Sequence, residues 1–361
     1  PRTDNPYAEY LEEQGLALPN VSQRFVGTNP GTQRQEMFAL HEGPLESTIE
    51  YFVSHETNRI IDELSGGDEP FFLWANYWGP HTPCLVPEPY FSMYYPEHAD
   101  LPDNPPGHLE SLPEAAQRLR QAFGFEGYTD DEVRRARAAY YGLITYMDNK
   151  IGRLMDALEE QGLAENTVII YTSDHGESLG EHGLWRKMNF YEHSARVPLQ
   201  ISWPGVISGG QHFDGATSLV DVTATILDVA GVSGRDLEHL RLDGDSLLPL
   251  MRGVTSKWKD EAFTEHLAHG TDRARAMVRK GNWKLCYSHG NPPDLELYDL
   301  SADPGEFNNL AGSPEHRDVQ EQLIARIMEH WGDPGKLTQD IELGQESRLM
   351  IRDVLGEGAI F

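Results

Sequence analysis

Residues Asn166 to Pro198 read NTVIIYTSDHGESLGEHGLWRKMNFYEHSARVP. The opening run Val168-Ile169-Ile170-Tyr171 is short, apolar and β-branched, which predicts a buried strand. Asp174 and His175 follow just past its C-terminal end. In open α/β sheets that edge is where ligands and catalytic groups collect. Lys187 lies thirteen positions beyond Asp174, in a region otherwise poor in lysine. A carboxylate, an imidazole and an ammonium this close point to a metal-assisted site for an anion.

Working outward, helical and strand-like patterns alternate. Ser47 to Leu64 has apolar residues at helical spacing and stops at Gly66-Gly67. Phe71 to Tyr77 (FFLWANY) is expected to be a second buried strand, delivering Gly79-Pro80-His81-Thr82-Pro83 at its end. Residues 84–128, rich in Pro, Tyr and Gly, read as a long insertion over one face. Thr129-Asp130-Asp131-Glu132 is a capping-box sequence and starts a long helix that Gly162 ends. Leu199 to Trp203 reads as a strand and Ser218 to Val229 as a helix. Residues 1–45 are expected to be surface loops with a helical patch at Tyr7 to Gln14.

This alternation predicts an α/β fold with a mainly parallel sheet flanked by helices. After Gly253 the texture changes to short strands at 262–266, 276–279, 283–287 and 296–300. The turn Lys280-Gly281-Asn282 joins the middle two, and an amphipathic helix runs from Val319 to Trp331. The expected organisation is an α/β catalytic domain over 1–253 and a C-terminal α+β subdomain over 254–361, an antiparallel sheet with one helix.

The chain has 361 residues and a formal net charge of −29, from 58 acidic and 29 basic side chains. Such a surface argues against nucleic-acid binding, because phosphate contacts need clustered Lys and Arg. No apolar run approaches the length of a membrane span. The two cysteines, Cys84 and Cys286, exclude a disulfide framework and a cysteine-rich zinc site, and read as packing residues. The compartment is not legible, and a homo-oligomer is left open.

For the site itself, an Asp174 oxygen suits Ca2+ or Mg2+. A histidine ligand suits Mn2+ or Zn2+ better, or His175 hydrogen-bonds the anion instead. Lys187, set among Trp185, Phe190 and Tyr191, suits neutralisation of a transferring group or leaving oxygen. His81, between two prolines, suits a positioned general acid or anion ligand. Arg196 reads as structural, and so do most of His182, His193, His266 and His269.

Taken together, Gly79-Pro80-His81-Thr82-Pro83, Ser173-Asp174-His175-Gly176, Leu179-Gly180-Glu181-His182-Gly183, Lys187, Tyr191-Glu192 and Arg196-Val197-Pro198 resemble the type I sulfatase family of the alkaline phosphatase superfamily. Leu297-Tyr298-Asp299-Leu300, Asp303-Pro304, Glu306 and Asn309-Leu310 resemble that family's C-terminal signature. The texture is nearest the choline sulfatase and iduronate-2-sulfatase branches. The resemblance implies an alkaline-phosphatase-like fold and hydrolysis of a small-molecule or carbohydrate sulfate ester. It implies a divalent cation, most often Ca2+ with Mg2+ or Mn2+ as alternatives, held by Asp174 and His175. His81 and Lys187 would bind the sulfate and assist departure of the alcohol.

The family's nucleophile is a formylglycine made within Cys/Ser-x-Pro/Ala-x-Arg, and no such motif occurs here; Cys84-Leu85-Val86-Pro87 and Ser313-Pro314-Glu315-His316-Arg317 have the wrong pattern. The family's paired aspartates are absent too. The expectation is that an upstream piece, on the order of a hundred residues or more, carries both, and that these residues alone are inactive. Phosphonate monoester or phosphodiester hydrolysis, and non-catalytic binding of sulfated glycans, are the alternative readings.

Overall fold

The computed structural model describes residues 5–28, 34–123, 128–232, 240–268 and 271–355. Asn5 caps helix α1 (Pro6–Glu13), with Pro6 in its first turn, where the missing N–H costs nothing. Residues 20–42 correct the expectation of loops. Strands β1 (Asn20–Thr28) and β2 (Arg34–Glu42) pair antiparallel, Asn20 opposite Glu42. Met37, Phe38, Ala39 and Leu40 are buried on β2.

Helix α2 (Ile49–Ser65) starts at Thr48, whose hydroxyl accepts from Tyr51 N, and stops at Gly66. The insertion contains strand β3 (Cys84–Pro87) and helix α3 (Glu114–Phe123). β3 lies parallel to β2, Phe38 beside Cys84. Helix α4 (Asp130–Glu160) begins with the capping box read from the sequence: Thr129 and Glu132 satisfy each other's backbone N–H. Its Ala138, Ala139, Leu143 and Tyr146 pack with Phe38, Val86 and Phe91 in the main core. Gly142 is required there, since a Cβ would sit 2.6 Å from Tyr90 O.

Strand β4 (Ile169–Thr172) pairs antiparallel with β5 (Leu199–Ser202). Between them the chain leaves as a loop and returns through the short helix α5 (Glu192–Ala195). Helices α6 (Leu219–Val229) and α7 (Leu248–Met251) follow. Strands β6 (Glu261–His266), β7 (Arg275–Lys280), β8 (Trp283–Ser288) and β9 (Asp294–Asp299) form a sequential antiparallel sheet. Gly281, at φ +56°, makes the two-residue turn between β7 and β8. Helix α8 (Arg317–Trp331) covers this sheet with Leu323 and Ile327, and α9 (Pro334–Leu355), which the sequence reading missed, runs on from it.

The expected mainly parallel sheet is therefore corrected. Among the described residues β2–β3 is the parallel pair and the other ladders are antiparallel. A parallel neighbour needs a crossover, and here a hairpin and a returning loop supply the neighbours instead. Residues 71–77 are also not a buried strand. They keep a strand's period-two alternation, with Phe72, Trp74 and Trp78 outward at 68%, 75% and 64% exposure. No ladder partner pairs with them among the described residues. Aromatic content predicted their extended shape but not their burial, which depends on neighbours.

No helix among the described residues is long and apolar enough to cross a membrane.

Candidate active site

Two chain ends meet at the site. One is the turn after residues 71–78, where His81 N donates to Trp78 O. Gly79 is pressed against Glu50, Leu143 and Met147, so close that a Cβ would lie 2.9 Å from the Met147 sulfur. Burial pushes the Glu50 carboxyl beside it up to about 7. The other end is the C-terminal end of β4, where Asp174 and His175 emerge. Their rings bring the two together: His81 and His175 stand edge to face, centroids 5.9 Å apart.

His81 Nδ1 lies 2.6 Å from Thr82 O. A carbonyl only accepts, so Nδ1 carries the proton and Nε2 presents a lone pair. Lys187 Nζ donates to that lone pair at 2.7 Å. Desolvation, then the Lys187 charge, lower the His81 pKa, against the pull of Thr82 O. Desolvation likewise lowers Lys187, opposed by Asp174 and Glu177. The pair is thus an imidazole–ammonium couple sharing one proton, open to solvent on the Trp78 side, whose indole stands 5.0 Å from the His81 ring.

Asp174 is 84% exposed at its side chain. Its Oδ1 accepts from His175 N at 3.0 Å. His175 Nδ1 lies 2.8 Å from Gly176 O and so carries the ring proton. That leaves the Nε2 lone pair 3.4 Å from Asp174 Oδ2. Two electron-rich atoms side by side have the chemistry to hold a cation. Among the described residues no group of three or more His, Cys, Asp or Glu side chains converges as a metal cage.

Between these groups runs a tightly tied loop. A Cβ at Gly176 would stand 2.0 Å from His193 O, so only glycine fits, and Gly176 N donates to Ser194 O at 2.8 Å. Leu179, His182 and Arg186 hold left-handed φ of 49°, 54° and 68°, a conformation costing a non-glycine residue about 1–2 kcal/mol. The surroundings force it. Ser178 N and Oγ both donate to Arg186 O, at 3.1 and 2.7 Å. Arg137, buried on α4, donates to Leu179 O at 2.9 Å and to Glu181 at 3.0 Å. The insertion clamps the same loop through Asp103 N to Glu181, and through His108 Nε2, 2.8 Å from His182 Nδ1. His182 stacks on Tyr191 with centroids 3.8 Å apart, and burial drives its pKa down to about 3.

The sequence-derived quartet His81, Asp174, His175 and Lys187 therefore comes together. Residues the sequence reading missed support it: Glu50, Arg137, His108 and Glu177, the last partly buried and raised to about 7 by desolvation. One glutamate among 58 acidic residues gives no signal that could single out Glu50 or Glu177. Glu265 and His266 belong to β6; His269 lies outside the described residues. Cys84 and Cys286 are buried thiols whose pKa burial raises, unsuited to act as nucleophiles.

Fold and chain similarity agree on the class of protein, the alkaline phosphatase superfamily. The sulfatase family matches over residues 5–232, and the C-terminal region of N-sulphoglucosamine sulphohydrolase over 180–332. The chain belongs to the sulfatase family. It is 36% identical over 299 residues to a choline-sulfatase of Rhizobium meliloti, covering 81% of this chain and 56% of that protein. It is 36% identical over 274 residues to an arylsulfatase of Clostridium perfringens, covering 73% and 55%. The phosphonate monoester hydrolase of Silicibacter pomeroyi superposes with a TM-score of 0.73 at 28% identity, covering 91% of this chain and 68% of its own. The chain spans about half the length of the curated relatives it matches.

Proposed function

We propose that this chain carries the leaving-group and part of the metal-binding machinery of a sulfate-ester hydrolase. The observation that carries the reading is the Lys187 Nζ–His81 Nε2 contact at 2.7 Å, beside the Asp174–His175 donor pair. An ester sulfate brings negative oxygens and an alkoxide leaving group. The Lys187 ammonium neutralises those oxygens as charge develops, and the shared proton passes to the departing alcohol oxygen. The lowered pKa of both groups makes that proton easier to surrender than a free lysine's.

Asp174 and His175 would hold a divalent cation, Ca2+ being the family's usual choice, which when bound polarises the sulfate oxygens. The formylglycine nucleophile has no matching motif among these 361 residues, so no attacking step is assigned to them. The substrate is a small-molecule or carbohydrate sulfate ester, with Trp78 as one wall. These residues purified alone should release no sulfate; steady sulfate release from that protein would overturn the division of labour. A second reading, phosphonate monoester hydrolysis, draws on the likeness to the Silicibacter pomeroyi enzyme. Parallel assays of a sulfate and a phosphonate ester, on protein that turns over either, decide between them.

A further inference from the structure

We infer that Glu177 is a positioning residue: its carboxylate fixes the peptide ahead of Lys187 and so holds the ammonium on His81. The inference rests on the sulfate-ester hydrolase reading. Glu177 stands three positions after Asp174, yet its Oε1 accepts a hydrogen bond from Arg186 N across the loop. Arg186 is in the left-handed region at φ 68°, where a residue without support would relax. The opposite side of that residue is held by Ser178, whose N and Oγ donate to Arg186 O. Asn189 Nδ2 in turn donates to Ser178 Oγ at 2.9 Å. Beyond Lys187, Ser194 Oγ donates to Lys187 O at 2.7 Å, while Ser194 O accepts from Gly176 N.

Arg186 N, Arg186 O and Lys187 O are therefore anchored to Glu177, Ser178 and Ser194, and Ser194 O also accepts from Gly176 N. Serine and asparagine supply the neutral bonds. The N–H of Arg186 is bonded to Glu177, which also stands near the Lys187 ammonium. The Glu177 side chain therefore ties the peptide ahead of Lys187 to the segment that carries Asp174 and His175.

The test compares Glu177→Ala with Glu177→Gln, whose amide oxygen still accepts from Arg186 N. In protein that hydrolyses a sulfate ester, Glu177→Ala should lower kcat at least tenfold with KM changed less than threefold. Glu177→Gln should restore most of that loss. Both variants should melt cooperatively. Amide hydrogen exchange over residues 184–190, read on these residues alone, should accelerate at least tenfold in Glu177→Ala and stay near wild type in Glu177→Gln. A Glu177→Ala variant with wild-type kcat and exchange overturns the inference, and so does a Glu177→Gln variant as slow and as loose as Glu177→Ala. Nucleophile-bearing protein that hydrolyses a phosphonate ester but no sulfate ester defeats the functional reading, and the exchange pair then judges the positioning role by itself.

Discussion

Two lysines sit about a hundred positions apart and show how differently this molecule uses the same side chain. Lys284, on β8, is 0% exposed and lies 3.0 Å from Glu192 and 2.7 Å from Glu306. Those carboxylates raise its pKa, and Lys284 and its neighbours hold Glu192 below the usual range. Lys187 is half-buried, faces an imidazole, and is lowered. The C-terminal lysine has its charge answered by buried partners and is locked. The site lysine is partly desolvated, and its hydrogen-bond partner is an imidazole while the carboxylates of Asp174 and Glu177 act on it as neighbouring charges. The two are also connected, because Glu192 opens α5 five residues after Lys187, and its N donates to Glu306 at 2.6 Å. The C-terminal sheet thus serves as the back wall of the site.

The comparison breaks most readily at Lys284. Lys284→Met should leave Glu306 buried without a cation and Glu192 with only the more distant Arg279, and cost about 3–5 kcal/mol, read by chemical denaturation. A loss below 1 kcal/mol would mean that water already answers those charges. Lys187→Ala should show the opposite profile in catalytically competent protein. The rate constant should fall roughly 100- to 1000-fold, as for loss of one transition-state donor, while stability moves by less than about 1 kcal/mol. A Lys187→Ala protein that melts early and turns over normally would reverse the two roles.

A smaller effect tests the seam between the regions. His182 packs against His108, His193, Tyr191 and Phe307, with the Lys284 charge nearby. Its pKa is about 3 in the folded protein against 6.5 for a free imidazole. Between those values the unfolded chain binds the extra proton, so stability should fall as pH drops from 6.5 towards 3. The expected loss is on the order of a few kcal/mol. His182→Gln should flatten that slope in acid denaturation curves; an unchanged slope would assign it to other groups. The smallest effect belongs to the open edge: Trp78→Ala should leave the melting temperature within a degree or two, because a largely exposed side chain contributes little to stability. A marked drop would show that the indole packs more than its 64% exposure indicates.

Local signals carried far in this sequence. The capping box at Thr129, the stop at Gly66 and the turn at Gly281 each depend on a few neighbouring residues, and each is where the reading put it. That His81, Asp174, His175 and Lys187 lie near one another was legible because each was read at or beyond the end of an extended segment. Residues 71–77 were misread because hydrophobicity reports a preference for burial, while burial itself needs a neighbour at the right place. The β1–β2 hairpin hid in a stretch rich in Gly, Asn and Gln. Glu177 was invisible since its role depends on a left-handed turn at Arg186, a backbone state that no side chain there announces.

The extended run 71–78 has a consequence for the molecule's behaviour in solution. Its exposed Phe72, Trp74 and Trp78 form an apolar margin that can bring copies of the chain together. Copies of this chain carry a net charge of −29, and repel one another over roughly 30 Å at 0.01 M ionic strength but only ~8 Å at 0.15 M. Its acidity therefore acts as a colloidal shield over a sticky margin, and added salt should thin that shield.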